Sequence, residues 1–171
     1  MTPEERLRGW KLHESQRGYF GKALYETMAK DERIHVLTGD LGFGMFDAHR
    51  EDFPSRFINC GASEQAMFGI AVGMALEGKI VFCYTITSFV LRAAETISLY
   101  AHHEQIPIKI IGGGRDDDYK HDGFSHDGTV AQDFIKRLKI ESFYPKTNEE
   151  AGQMVRDIIV SGKPSFISLK R

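Results

Sequence analysis

Phe57-Ile-Asn-Cys-Gly-Ala-Ser-Glu-Gln-Ala-Met-Phe-Gly-Ile-Ala-Val-Gly-Met-Ala-Leu-Glu-Gly78 is the stretch whose reading decides the fold. A short apolar run, Phe57 to Asn59, meets a turn of small residues and then an apolar helix. Glu64 falls at the start of that helix. The residues that follow, Ala66, Met67, Ile70, Ala71, Met74 and Ala75, are too apolar for a surface helix, so the helix is expected to be buried on most sides. A carboxylate in a first turn is stabilised by the helix dipole, but burying its charge is costly unless a partner compensates it. Glu64 is therefore either a charge that serves the dipole or a buried acid that binds a ligand.

Outward from this stretch the pattern alternates. Towards the N-terminus, Ile34 to Thr38 reads as a buried strand ending in the glycine-rich loop Gly39-Asp-Leu-Gly-Phe-Gly44, and an amphipathic helix precedes it from about Gln16 to Lys30. Towards the C-terminus come strands at 79–84, 108–111, about 139–143 and 165–169, separated by helices at about 89–104, 130–138 and 149–161. Strands alternating with helices predict an α/β fold, a doubly wound parallel sheet in which loops at the carboxyl ends of strands bind ligands. Residues 112–128 form one long irregular loop, a length that usually signals function or disorder. Its Asp116-Asp-Asp118 run suggests a metal site, but consecutive aspartates point in different directions and no spaced ligand set accompanies them.

With 171 residues the chain fits one domain, read as a polar leader over 1–15 and the domain over 16–171. A formal charge of -2 leaves no basic footprint for nucleic acid. The two cysteines, Cys60 and Cys83, lack Cys-x-x-Cys spacing and read as reduced core residues of a cytoplasmic protein. The first residues lack the apolar run of a signal peptide, and no segment is long and apolar enough to span a bilayer.

Gly61-Ala-Ser-Glu-Gln-Ala-Met67, introduced by Phe53-Pro-Ser-Arg-Phe-Ile-Asn59, resembles the Gly-x-x-Glu-[His/Gln] signature of the pyrimidine-binding domain of the transketolase family. The resemblance runs from about Gln16 to Leu169, with further segments in family order, and implies thiamine diphosphate as cofactor. Glu64 then stands where the family's glutamate contacts N1' of the aminopyrimidine. In Tyr84-Thr-Ile-Thr-Ser-Phe-Val-Leu-Arg92, Phe89 matches the phenylalanine that stacks on that ring. Ile86 stands in place of a further phenylalanine, and Arg92 stands where transketolases carry tyrosine and deoxyxylulose-phosphate synthases arginine. Asp122-Gly-Phe-Ser-His126 resembles the Asp-Gly-Pro-Thr-His loop, which implies that His126 reaches the substrate. Asp40 in Thr38-Gly-Asp-Leu41 resembles a segment near the thiazolium and the substrate channel. Arg115, preceded by Gly114 where the synthases have an acid, is carried over as a substrate-phosphate candidate.

The family's Gly-Asp-Gly and asparagine set, which holds magnesium and the diphosphate, has no counterpart here, because Leu41 occupies the third position after Gly39-Asp40. The resemblance therefore implies a partner chain of transketolase N-terminal type, carrying the magnesium ligands, in an assembly with two copies of each chain. The leading expectation is the pyrimidine-binding subunit of a two-chain transketolase, moving a two-carbon ketol unit from a ketose to an aldose, with sugars or sugar phosphates as substrates. Gln65 and Arg92 favour the alternative of a deoxyxylulose-phosphate-synthase-like or 2-oxo acid decarboxylating subunit. A non-catalytic assembly subunit is the reading from another class.

Overall fold

The computed structural model describes residues 2–171. Six strands form one parallel sheet in the order β2-β1-β3-β4-β6-β5, with β1 Ile34–Thr38, β2 Phe57–Asn59, β3 Ile80–Ile86, β4 Lys109–Gly113, β5 Glu141–Phe143 and β6 Ser165–Leu169. The helices are α1 Pro3–Arg8, α2 Gln16–Met28, α3 Asp47–Asp52, α4 Glu64–Leu76, α5 Ala94–Thr96, α6 Thr129–Lys136 and α7 Asn148–Ser161. This is the doubly wound α/β architecture that the alternation predicts.

β1, β4 and β6 are buried along their whole length, as parallel strands covered on both faces must be. Side-chain alternation divides the core into two layers. Val36, Phe82, Tyr84 and Ile111 pack with α2 and α7 on one face, while Leu37, Val81, Cys83 and Ile110 pack with α4 and α6 on the other. Both cysteines are unpaired thiols, Cys83 within the second layer and Cys60 at its margin. After β1 the chain moves outward to β2 and then returns to place β3 on the other flank of β1. That reversal opens the crevice at the carboxyl edge in which ligands of such sheets lie.

Four local features differ from the sequence reading. Within the polar leader, α1 is closed by a capping box between Thr2 and Glu5, and Arg6 ties it to α3 through Asp52 at 2.8 Å and Glu51 at 2.8 Å. Helix α3, too short to show a period, is held by aromatic packing. The segment expected as one helix opens as a 3-10 turn, Thr87–Ala93, passes through α5 and closes as a π-helix, Ile97–His103. Finally, α4 is not buried on most sides in this chain. Ala66, Gly69, Ile70, Gly73 and Leu76 face solvent, so only the stripe of Met67, Phe68, Ala71 and Val72 is sheet-facing core.

His49 of α3 is fully buried against Trp10, Tyr25 and Phe46. Burial pushes its pKa down from 6.5 to about 3. The unfolded chain therefore takes up a proton below about pH 6.5 that the folded chain refuses until about pH 3, and stability falls as the pH is lowered through that window. The slope approaches about 1.4 kcal/mol per pH unit, so denaturant unfolding at pH 5 should show about 2 kcal/mol less stability from this group than at pH 7. His49→Phe should flatten that part of the profile. An unchanged acid dependence in the variant would refute the assignment.

Candidate active site

Every residue nominated from the sequence lies on a loop or helix start at the carboxyl edge of the sheet. Asp40 follows β1, Glu64 follows β2, Phe89 and Arg92 follow β3, and Arg115 and His126 follow β4. The first two loops are stapled together by Asn59. Its side-chain oxygen accepts from the backbone of Asp40 and of Gly61, both at 3.0 Å, and its amide donates to the Asp40 carboxylate at 2.9 Å. Asp40 and Gly61 both take the left-handed conformation, with φ of 60° and 69°, which the turn residue types Asp and Gly tolerate. The β1 loop then rests on the acid itself, since a Cβ on Gly39 would lie 3.3 Å from Glu64 Oε1.

The Glu64 side chain is 1% exposed at the head of α4, where the helix dipole favours an anion. Both of its oxygens are engaged. Thr85 Oγ1 donates to Oε1 at 3.1 Å and Arg92 Nη1 donates to Oε2 at 2.9 Å. The guanidinium carbon of Arg92 lies 3.8 Å from the centre of the Phe89 ring. That stack follows from the 3-10 turn, in which residues three apart eclipse one another. Phe89 in turn meets the His126 imidazole, with ring centres 5.0 Å apart and planes at 62°. Glu64, Arg92, Phe89 and His126 thus form one continuous cluster: an acid, a cation, an aromatic face and an imidazole. Such a set suits a flat, polar heteroaromatic ring.

Arg115 is a correction. Its guanidinium is buried and donates to the carbonyls of Ser168 and Pro145 and to the side-chain oxygen of Gln16. It braces β6 and the start of α2 through these contacts inside the protein rather than facing the Glu64 cluster. The aspartates of the same loop diverge, with Asp118 accepting from the backbone of Arg115 and Arg171 and Asp116 accepting from Gln132. Among the described residues no three His, Cys, Asp or Glu side chains converge as metal ligands. A cavity of about 730 Å³ lies between the leader and the loop after β1, lined by Arg17, Phe43 and Tyr84 among others. None of the nominated residues lines it.

Thr85 was missed in the sequence, although a signal was present. Alternation along β3 puts it on the same face as Cys83, towards α4. Thr85→Val removes one of two donors from a buried carboxylate and should cost about 1–3 kcal/mol of unfolding free energy. Chemical denaturation measures this, and a loss below a few tenths of a kcal/mol would show that the bond carries no weight.

Comparison with known proteins identifies the family. Residues 15–171 match the family described as "Transketolase, pyrimidine binding domain". A Methanocaldococcus jannaschii protein named for the C-terminal section of transketolase is 34% identical over 117 residues, which are 67% of this chain and 37% of that protein. The 6-deoxy-6-sulfo-D-fructose transketolase subunit SqwH of a Clostridium species is 32% identical over 91 residues, 52% of this chain and 28% of that one. Among solved structures, a split-gene transketolase described as an inactive beta4 tetramer superposes with a TM-score of 0.80 at 28% identity, over 92% of this chain and 51% of its own. The chain spans about a third of the two sequence relatives and half of the third. On the match across all but its first 14 residues, the chain belongs to the transketolase pyrimidine-binding domain family.

Proposed function

We propose that this chain is the pyrimidine-binding subunit of a two-chain, thiamine diphosphate-dependent transketolase. The observation that carries the reading is Glu64: a buried acid at the head of α4, with Phe89 and His126 in the same cluster at the carboxyl edge of the sheet. A fully buried carboxylate is costly to maintain, and a site that must grip a ring nitrogen gives it a use. When bound, the cofactor supplies the stabilised carbanion that cleaves and forms bonds next to a carbonyl.

The work of this chain is to hold and orient. Glu64 shares a proton with the ring nitrogen nearest to it, Thr85 fixes the carboxyl rotamer, and Phe89 provides the stacking face. Arg92 and Asp40 line the cofactor side. His126, half-buried with its Nδ1 3.1 Å from Ser125 Oγ, is placed to donate to an oxygen of the substrate. Magnesium and the diphosphate are held by a companion chain of transketolase N-terminal type, two copies of each chain making two sites. The relatives named as a C-terminal section, a subunit and a split-gene product support that division. No helix among the described residues is long and apolar enough to cross a membrane, and the unpaired thiols fit a cytoplasmic setting.

The test is a panel of ketose and 2-oxo acid donors with the reconstituted complex. Two-carbon transfer to an aldose without carbon dioxide supports the transketolase reading. Carbon dioxide release from a 2-oxo acid would instead favour the synthase-like alternative. For His126→Ala, kcat/KM for the substrate should fall by about 10²-fold or more while cofactor affinity changes little, as expected for a donor that touches substrate. Equal losses in both would remove His126 from that role.

A further inference from the structure

Arg92 does in this chain what the proposed reading asks of the cofactor's ring. A planar, π-bonded group lies over the Phe89 ring at 3.8 Å and turns an N–H donor towards Glu64 Oε2 at 2.9 Å. A flat aminopyrimidine stacked on Phe89 and bonded to Glu64 would use the same ring and the same carboxylate. A pyrimidine seated on the same face of Phe89 and bonded to the same oxygen would displace the guanidinium. The Arg92 side chain is 50% exposed while that of Glu64 is 1% exposed, so the guanidinium lies between the buried acid and solvent, on the side from which a ligand arrives. Its stem leaves from the same 3-10 turn as Phe89.

We infer that Arg92 is a displaceable placeholder: with no ring bound it caps the Phe89 face and neutralises Glu64, and ligand entry moves it aside. This rests on the reading that the cluster takes an aminopyrimidine. The physical need is plain, because a buried carboxylate without a compensating charge is costly, and a chain that must stay folded before it meets its companion has to supply that charge itself. A guanidinium suits the task better than an ammonium, since it stacks on an aromatic face while donating in its own plane. The consequence is a toll on affinity, since ligand binding must first break the stack and the ion pair.

The experiment uses the full chain alone and 4-amino-5-hydroxymethyl-2-methylpyrimidine, which carries the ring without the diphosphate and so needs neither magnesium nor companion. Two readouts are taken: the dissociation constant by NMR titration, and the ring-current shift of the Arg92 Nε–H resonance. The wild-type resonance should be shifted by Phe89, lose that shift in Phe89→Leu, and lose it on saturation with the pyrimidine. Arg92→Ala should bind the pyrimidine about tenfold tighter than wild type. Arg92→Lys, which keeps the charge beside Glu64 but not the planar stack, should fall between and guards against a folding defect in the alanine variant. Binding by Arg92→Ala that is equal to or weaker than wild type, or an Arg92 resonance that keeps its shift at saturation, would overturn the placeholder while leaving the cofactor reading intact. Absence of pyrimidine binding in wild type and in both Arg92 variants would overturn the placeholder, while the cofactor reading stands or falls on the complex with the companion chain.

Discussion

Glu64→Gln is expected to remove most turnover from the complex of this chain with its companion, by about 10²- to 10⁴-fold, while the chain stays folded. Glutamine is nearly isosteric and keeps one acceptor oxygen for Thr85 or Arg92. The ion pair that it gives up has a half-exposed partner, Arg92 at 50%, and solvent screening keeps the structural loss small. What the amide cannot do is share a proton with a ring nitrogen as a carboxyl group does. The loss should therefore appear in kcat and kcat/KM together. Circular dichroism and denaturant unfolding should match wild type to within about 1 kcal/mol. Turnover within a few-fold of wild type would mean that Glu64 serves the dipole of α4 and nothing more.

The second large effect concerns dependence on a companion. The cluster built by this chain engages a ring through Glu64 and Phe89, and the groups that would hold a magnesium diphosphate are not among those gathered at it. The diphosphate is the strongest charge on the cofactor, and most of the binding free energy should come from the chain that neutralises it. The exposed apolar stripe of α4, Ala66, Ile70 and Leu76 with Gly69 and Gly73 between them, adjoins the buried acid on the same helix. A helix that carries the key carboxylate on one face and bare apolar residues on another fits a site completed by other subunits. The solved relative described as an inactive beta4 tetramer shows that a related chain can self-associate without activity. For this chain in isolation we expect no turnover, because the diphosphate has no ligands in the cluster.

Much of this was legible in the residues. Strand β6 was read at the residues where it lies, α2 and α7 were read to within about two residues, and α4 was read to start at Glu64, because long apolar periods dominate those segments. The cluster of Glu64, Phe89 and His126 was assembled from three separated motifs, and the structure brings them together at one edge. Other features could not be read because tertiary contacts decide them. Helix α3 carries too few apolar positions to show a period, and it exists because Phe46, His49 and Phe53 enter an aromatic core with Tyr25. In the 87–103 segment the spacing of Val90, Ala93, Ile97 and Ala101 announces a helix, but spacing does not reveal a switch of hydrogen bonding from 3-10 to π. Arg115 was drawn towards the site by its motif. The carbonyls that enclose it come from Pro145 and Ser168, 30 and 53 residues further along, which no local pattern discloses. The breadth of the buried face of α4 was overestimated because apolar composition does not say which faces of a helix its own chain covers.

The most direct measurement is isothermal titration calorimetry of thiamine diphosphate with magnesium, into this chain alone and into this chain mixed with a companion of transketolase N-terminal type, followed by a coupled transferase assay on both samples. The split-site account predicts no resolvable heat of binding and no turnover for the single chain, and saturable, magnesium-dependent binding with turnover for the mixture. Tight, magnesium-dependent binding of the cofactor by this chain on its own would contradict it.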